Sequence, residues 1–139
     1  MRYRAYPLEH INQRPAPRHI VDQEWPLVAV QEPLCRCKGW PHEEYLRTTL
    51  LAFEAYESAF RQDPEKARVF DLGLRRAFFW EGRRIDDPEV ICEIAGESGL
   101  DPASMRKDLE ARTYEETVVA DYKEAMRLRD EEGVPMTSP

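Results

Sequence analysis

The order of apolar and polar positions separates an irregular N-terminal part of the chain from a helical remainder. Residues 2–8 alternate between two sides, with Tyr3 and Ala5 on the same side, which predicts one short β-strand. Residues 9–39 show no helical period and contain several prolines, so we predict a long arm in which residues 25–30 are extended.

The pattern changes after Trp40, where it predicts a first helix from Pro41 to about Gln62. The apolar stripe of this helix consists of Leu46, Leu50, Phe53 and Phe60. Its opposite, charged face consists of Arg47, Glu54, Glu57 and Arg61. We therefore expect an amphipathic helix with its charged residues opposite the apolar stripe.

Three Asp-Pro pairs mark the starts of three further helices. They are Asp63-Pro64, Asp87-Pro88 and Asp101-Pro102. In each pair the carboxylate suits an N-cap position, where it accepts hydrogen bonds from free backbone N–H groups, and the proline loses no bond in the first turn. Gly82 is expected to stop the first of these helices, and Gly99 the second. A fifth helix is expected to open on Thr113, with Glu116 completing a capping box, and to end at Gly133.

The apolar faces of these helices predict one hydrophobic core. The side chains expected to be buried are Leu50, Phe53, Phe70, Leu74, Phe78, Ile94, Leu109 and Tyr122. Phe78, Phe79 and Trp80 follow one another, so they cannot all face that core. At least one of them is expected to lie on a second surface, against the arm or against a sheet.

Composition narrows the functional classes. The sequence has 139 residues and a net charge of −7, which argues against nucleic acid as a partner, because phosphate binding needs clustered Lys and Arg. No apolar run is long enough to cross a bilayer, and the N-terminus lacks the apolar stretch of a signal peptide. Three cysteines, an odd number, do not form a disulfide framework. We therefore expect a cytoplasmic protein with no membrane partner, and no feature predicts a cofactor.

Cys35 and Cys37 are the first candidates for chemistry, because Arg36 and Lys38 beside them would favour the nucleophilic thiolate. Their Cys-x-Cys spacing and their place in the arm, away from a helix N-terminus, favour ordinary loop thiols instead. A zinc site that includes His42 would need a fourth ligand, and none is evident.

The other candidate groups favour structural roles. Cys92 lies among apolar residues and is expected to be buried, while His10 and His19 have no acid or nucleophile spaced to orient them. The pairs Arg75-Arg76 and Arg83-Arg84 could hold an anion such as a carboxylate of glutathione, since guanidinium forks match carboxylates. Nearby acids favour the alternative that these arginines lie on exposed and electrically balanced faces.

Four segments of the chain match, in order, the motifs of one known family. Residues 6–12 read YPLEHIN, residues 74–90 read LRRAFFWEGRRIDDPEV, residues 94–101 read IAGESGLD, and residues 133–139 read GVPMTSP. They resemble the strand that follows the active-site helix, the helical-insertion signature, the next turn and the approach to the cis-proline loop of DsbA-like proteins. This branch of the thioredoxin superfamily includes FrnE-type oxidoreductases and 2-hydroxychromene-2-carboxylate isomerases.

The resemblance implies a mainly α fold: the helical insertion domain of a DsbA-like thioredoxin fold with one N-terminal β-strand, in a family whose full fold is α/β. It divides the chain into a strand and proline-containing arm (1–39), a helical domain of about five helices (40–133) and the approach to the cis-proline loop (134–139). In the family the redox Cys-x-x-Cys pair precedes the segment that residues 2–8 match. We therefore expect a central portion of the fold that lacks this pair.

The resemblance also implies one substrate site. The residue before a cis-proline offers its backbone to an extended substrate, so Ser138 and Pro139 are the implied substrate-binding residues; no catalytic or metal-binding residue is predicted. Three functions stay open: a thiol-disulfide oxidoreductase, a glutathione-dependent isomerase of the related branch, or a non-catalytic helical binding module. The expected partners are a thiol or disulfide substrate or glutathione. A lone strand edge at residues 2–8 further predicts a homo-oligomer.

Overall fold

Regular structure in the computed structural model is helical throughout the residues that it describes, which are 5, 17–32 and 39–133. Six α-helices follow one another in this part: α1 (Arg18–Gln31), α2 (Leu50–Gln62), α3 (Pro64–Phe79), α4 (Pro88–Glu97), α5 (Pro102–Glu110) and α6 (Glu115–Glu132). The predicted mainly α class is therefore confirmed. The predicted strand at residues 2–8, apart from Ala5, and the predicted cis-proline approach at 134–139 lie outside the described residues.

The three Asp-Pro pairs begin helices as the sequence predicts. The Asp63 carboxylate accepts hydrogen bonds from the backbone N–H groups of Glu65 and Lys66, at 2.9 and 3.2 Å. Asp87 and Asp101 each accept one from the residue two positions further on, at 2.9 and 3.0 Å. Each cap is worth about 1 kcal/mol relative to alanine. Asp63 also ends α2, so a single residue turns the chain from one helix into the next.

Glycines end the helices where the sequence predicts. After α4 the N–H of Gly99 donates to the carbonyl of Gly96 at 3.1 Å, and the N–H of Leu100 donates to that of Ala95 at 3.0 Å. The backbone of Gly99 is left-handed, with φ +80°, and Leu100 is buried. This pair of hydrogen bonds with its apolar contact is a Schellman motif, which satisfies the last carbonyls of the helix. Gly133 ends α6 in the same left-handed conformation.

Helix α2 lies at the centre of the fold, because α3, α4, α5 and α6 all pack against it. The largest fully buried apolar side chains are Phe70, Ile91, Ile94, Met105 and Val118. Of the predicted core, the buried members are Phe70, Leu74, Ile94 and Leu109. The predicted members that are only partly buried are Leu50, Phe53, Phe78 and Tyr122. The prediction therefore located the core but overstated its extent.

Glu54 and Glu57, which the sequence places opposite the apolar stripe, are buried, since they are only 2% and 1% exposed. Because neighbouring helices surround α2, the middle of the helix is buried from Glu54 to Ala59, including these two carboxylates. Arg112, in the turn between α5 and α6, donates to the Glu54 carboxylate from Nε at 3.0 Å and from Nη2 at 2.8 Å. The buried charge of Glu54 is therefore paired, as a charge in a helical core must be.

The predicted start of the first helix at Pro41 is also wrong, because α2 begins at Leu50. Side chains from elsewhere bind the backbone of the preceding segment and hold it in a non-helical path. The Trp40 indole N–H donates to the Glu44 carbonyl at 2.8 Å, and the Asp86 carboxylate accepts from the Arg47 N–H at 2.9 Å.

The predicted arm contains a helix, α1, where the sequence predicts extended chain at residues 25–30. Pro26 lies inside it, which removes one backbone hydrogen bond and explains why the pattern did not indicate a helix. Contacts within the fold compensate, since the Trp25 ring packs on Phe78 and Phe79 with centroids 5.2 and 5.5 Å apart. Two of the three consecutive aromatics therefore lie against the arm, which confirms that alternative.

The predicted capping box at Thr113 is absent, because α6 begins at Glu115 and its N-cap, Tyr114, makes no side-chain cap hydrogen bond. The N–H of Thr113 donates to the Asp108 carbonyl at 3.0 Å, so Thr113 belongs to the turn that closes α5. The fold therefore uses this polar position to end one helix rather than to begin the next.

Replacing Gly82 with Ala is expected to destabilise the fold more than replacing Gly133 with Ala. Both glycines have left-handed backbones, with φ +63° and +64°, which cost an L-residue about 1–2 kcal/mol. At Gly82 the new Cβ would also lie 2.5 Å from Cγ of Pro41, whereas at Gly133 no atom of the described residues lies within 4 Å. Chemical denaturation of both variants measures the difference. Equal losses of unfolding free energy would contradict the close approach of Pro41 to Gly82.

Candidate functional site

Five of the residues singled out for chemistry lie outside the described residues. These are His10, Cys35, Cys37, Ser138 and Pro139. Cys92 is buried as predicted, and burial raises the pKa of its thiol, so this cysteine is disfavoured as a nucleophile. His19 is exposed on α1.

The predicted anion site at the paired arginines is not open, because each guanidinium already binds an acid. Arg75 lies 3.1 Å from Asp71, and Arg76 lies 3.1 Å from Glu81. The other pair is also bound, since Arg83 lies 2.8 Å from Glu93 and Arg84 lies 2.8 Å from Asp86. The alternative of locally balanced charges is therefore the correct interpretation.

Five aromatic side chains meet where α1 joins the helical domain, and we name them the aromatic junction: Trp25, Trp40, Tyr45, Phe78 and Phe79. The Phe78 ring is central, with centroids 5.2 Å from Trp25, 5.3 Å from Trp40 and 4.9 Å from Phe79. Such edge and tilted contacts add about 0.5–1.5 kcal/mol per pair beyond burial. The aromatic junction therefore attaches α1 to the C-terminal end of α3.

Polar side chains fix the segment that carries Trp40 and Tyr45. The Arg84 guanidinium donates to the carbonyls of Glu44 and Tyr45, at 3.1 and 3.3 Å, while also binding Asp86. From the other side, Arg18 of α1 donates to the carbonyls of His42 and Glu43. The backbone beside the aromatic junction is therefore held from two directions, so this surface is preorganised.

Burial of Tyr45 in the aromatic junction raises the pKa of its phenol to about 12. The phenol therefore stays protonated and neutral at physiological pH, and it suits packing rather than acid–base chemistry.

The outer face of α1, formed by Ile20, Glu24, Leu27, Val28 and Val30, points away from the aromatic junction. Leu27 is 63% exposed and Val30 is 80% exposed, which is unusual for side chains of this size. The inner face of the same helix carries Val21, which is buried, and Trp25. The helix therefore has one apolar side bound to the fold and a second apolar side in contact with solvent.

Other parts of the described structure offer less to a ligand. A small cavity between α2 and α6 is lined by Leu50, Glu54, Arg112, Glu115, Val118 and Val119. Its volume of about 30 Å³ is far too small for an organic cofactor. Within residues 17–32 and 39–133, no three His, Cys, Asp or Glu side chains are grouped to hold a metal ion. No helix in that part has both the length and the apolar character needed to cross a membrane.

Sequence reasoning missed the surface on α1 because it treated this segment as extended. The signal that could have found it is the four-residue spacing of Val21, Trp25 and Ala29, which places these side chains on one side of a helix. Pro26 within that stretch concealed the spacing.

Comparisons with known proteins cover most of the chain. A family model described as Thioredoxin matches residues 17–132. YwbO, an uncharacterized protein of Bacillus subtilis (strain 168), is 34% identical over 87 residues, which are 63% of this chain and 42% of that protein. The ClpXP adapter protein SpxH of the same organism is 23% identical over 113 residues, which are 80% of this chain and 38% of that protein. The matched part thus spans about two-fifths of the length of these curated relatives.

Proposed function

Because this chain belongs to the thioredoxin family, we propose that it forms the helical, substrate-binding part of a DsbA-like thiol-disulfide oxidoreductase. In this proposal the catalytic Cys-x-x-Cys pair is not among these 139 residues, whose cysteines are Cys35, Cys37 and Cys92. The helical domain contributes binding surface and the redox pair contributes the chemistry.

The observation that carries the proposal is the contrast between Cys92 and the surface of α1. Cys92 is enclosed between helices and its thiol pKa is raised by burial, so it is ill suited to thiol exchange. The outer face of α1 presents exposed apolar side chains, which suits binding. The family match supports the redox context of this binding surface.

Within that proposal we assign the chain to the branch of FrnE-type oxidoreductases, and we place substrate contact at Ser138 and Pro139. The motif at residues 133–139 supports this assignment, and its first residue, Gly133, ends α6. A thiol or disulfide substrate would lie extended along this loop. The alternative from the same branch is a glutathione-dependent isomerase, for which glutathione is the partner.

The isolated chain is expected to show no turnover in an insulin-reduction assay, because no cysteine pair of the required spacing lies at a helix N-terminus. The Cys35→Ser variant is the control. Turnover by the unaltered chain that Cys35→Ser abolishes would overturn the proposal and make Cys35 and Cys37 the active site.

Sequencing the coding region before Met1 provides the second test. A strand followed by Cys-Pro-x-Cys supports the oxidoreductase. Serine or another residue in place of the first cysteine supports the isomerase.

A non-catalytic binding module is the second candidate function. It is favoured by the similarity to SpxH, which carries the description of a ClpXP adapter protein, and by the exposed outer face of α1. An adapter needs a surface that recognises a polypeptide and needs no redox pair. Absence of coding sequence before Met1 would favour this candidate over the oxidoreductase.

The proposal also covers the cellular location and the oligomeric state of the protein. We place the protein in the cytoplasm, which is supported by an odd number of cysteines and by the free thiol of Cys92. We also propose a homodimer in which the strand predicted at residues 2–8 pairs with the same strand of another copy.

A further inference from the structure

We propose that the outer face of α1 binds an amphipathic helix of another polypeptide whose apolar seam is flanked by lysine or arginine. The inference goes beyond the proposed function, because it holds whether or not the protein takes part in disulfide exchange.

Exposed apolar side chains are concentrated on α1. In the part of the chain that the structure describes, the large apolar residues that are strongly exposed are Ile20, Leu27, Val28, Val30, Val69 and Leu72. Four of these six lie on α1, although α1 is one helix of six. Exposed apolar side chains grouped on one helix mark interaction sites more often than singly scattered ones do.

Three of these residues on α1 have the spacing of a heptad repeat. Ile20, Leu27 and Val30 occupy the a, a and d positions of consecutive heptads, so they form a seam along one side of the helix. A seam with this period fits the side chains of a second helix packed alongside. An extended peptide, whose side chains alternate every two residues, would not match it.

A negatively charged residue, Glu24, lies beside the seam. Glu24 occupies the heptad e position, one turn after Ile20 and one turn before Leu27, and it has no ion-pair partner within the described residues. In paired helices the e and g residues select the partner by charge. An unpaired carboxylate at this position favours a partner with Lys or Arg beside its seam. The net charge of −7 adds to the same preference.

The same charge disfavours other occupants. In an antiparallel pair formed by two copies of α1, the two Glu24 carboxylates would lie on the same side of the shared seam and repel each other. An anionic lipid surface would be repelled by Glu24 and by the net charge as well. The charge pattern therefore selects a basic polypeptide helix.

Fluorescence anisotropy with two designed probes tests the proposal on the full chain. The first probe is a fluorescein-labelled three-heptad peptide with leucine at its a and d positions and lysine at its e and g positions. The second probe has glutamate in place of every lysine. We expect the lysine probe to bind at least about tenfold more tightly than the glutamate probe, which is about 1.4 kcal/mol. Leu27→Asp should weaken binding of the lysine probe by about tenfold or more, and Glu24→Lys should reverse the preference.

Matched variants separate the surface from general effects. Leu72→Asp places the same change on another exposed apolar residue, and Glu116→Lys makes the same change in net charge on α6. Neither is expected to alter binding more than about twofold, which is less than 0.5 kcal/mol. Circular dichroism and tryptophan emission check that α1 stays folded and docked, and Leu27→Ala is used if Leu27→Asp does not fold.

Three outcomes would overturn the proposal. The first is unchanged binding in Leu27→Asp or Leu27→Ala. The second is an effect of Glu116→Lys equal to that of Glu24→Lys, which would show that only net charge acts. The third is a dimer in sedimentation experiments that Leu27→Asp dissociates, because the occupant would then be a second copy of this chain. Insulin reduction is measured separately, so its result leaves this conclusion unaffected.

Discussion

Replacing Phe70 with Ala is expected to lower the free energy of unfolding by about 3–5 kcal/mol. Phe70 on α3 has no exposed surface, so its removal loses the transfer free energy of a whole ring and leaves a cavity that the packed helices can fill only in part. Small domains are stable by only about 5–15 kcal/mol, and the variant is therefore expected to lose much of its stability. Urea denaturation followed by circular dichroism measures the change.

Leu72→Ala is the matched control, because Leu72 lies on the same helix and is 67% exposed. We expect a change within about 0.5 kcal/mol for that variant. A loss below about 1 kcal/mol for Phe70→Ala would show that α3 does not pack on the core as described. Phe53 and Phe78, which the sequence also assigned to the core, are expected to have smaller effects, because both are partly exposed.

Replacing Arg112 with Ala is expected to cost about 2–3 kcal/mol, because it removes the guanidinium that pairs the buried Glu54 carboxylate. Full loss of a partner from a buried ion pair costs about 3–5 kcal/mol. The lower range applies here, because the Arg112 side chain is itself partly exposed and water can replace some of its contact. Thermal or chemical unfolding measures the change.

Adding Glu54→Gln to the Arg112→Ala variant is expected to restore part of the lost stability, because a neutral amide is less costly to bury without a partner. Arg127→Ala is the control for a surface ion pair. Arg127 binds Glu124 and Glu131 at exposed positions on α6, so its removal should change stability by about 0–1 kcal/mol. Equal losses for Arg112→Ala and Arg127→Ala would contradict the special role of the buried carboxylate.

Features that depend on neighbouring residues alone could be predicted from the sequence. The Asp-Pro pairs begin helices because the carboxylate and the proline act within a few residues of each other, and no distant contact is needed. The glycine at position 99 ends α4 for the same reason, since the left-handed conformation is a property of the residue itself.

Features that depend on distant contacts could not be predicted from the pattern. Helix α1 contains a proline and is held by Trp25 against Phe78 and Phe79, more than fifty positions away in the sequence. The buried Glu54 carboxylate is paired with Arg112, which lies 58 positions away in the sequence and has the unusual φ of +51°. Neither contact has a signature in the local order of apolar and polar residues.

The candidate site was predicted less well than the fold. The family motifs indicated the thioredoxin family, which the family model confirms over residues 17–132. The surface on α1 lay in the segment interpreted as an extended arm, so its exposed apolar residues had no assigned direction. Only the helical path of residues 18–31 shows which side chains meet solvent together.

The attachment of α1 has a consequence for local stability. The described attachments of this helix come from Trp25, Arg18 and the buried Val21, whereas α2 is surrounded by four helices. Helix α1 can therefore open as a unit at a lower free energy than global unfolding, and its amide protons should exchange with solvent sooner than those of α2. A partner that binds only the docked helix would add its own binding free energy to the docking and slow this exchange. Partner binding and the amide exchange of α1 would then both report the equilibrium between the docked and the undocked helix.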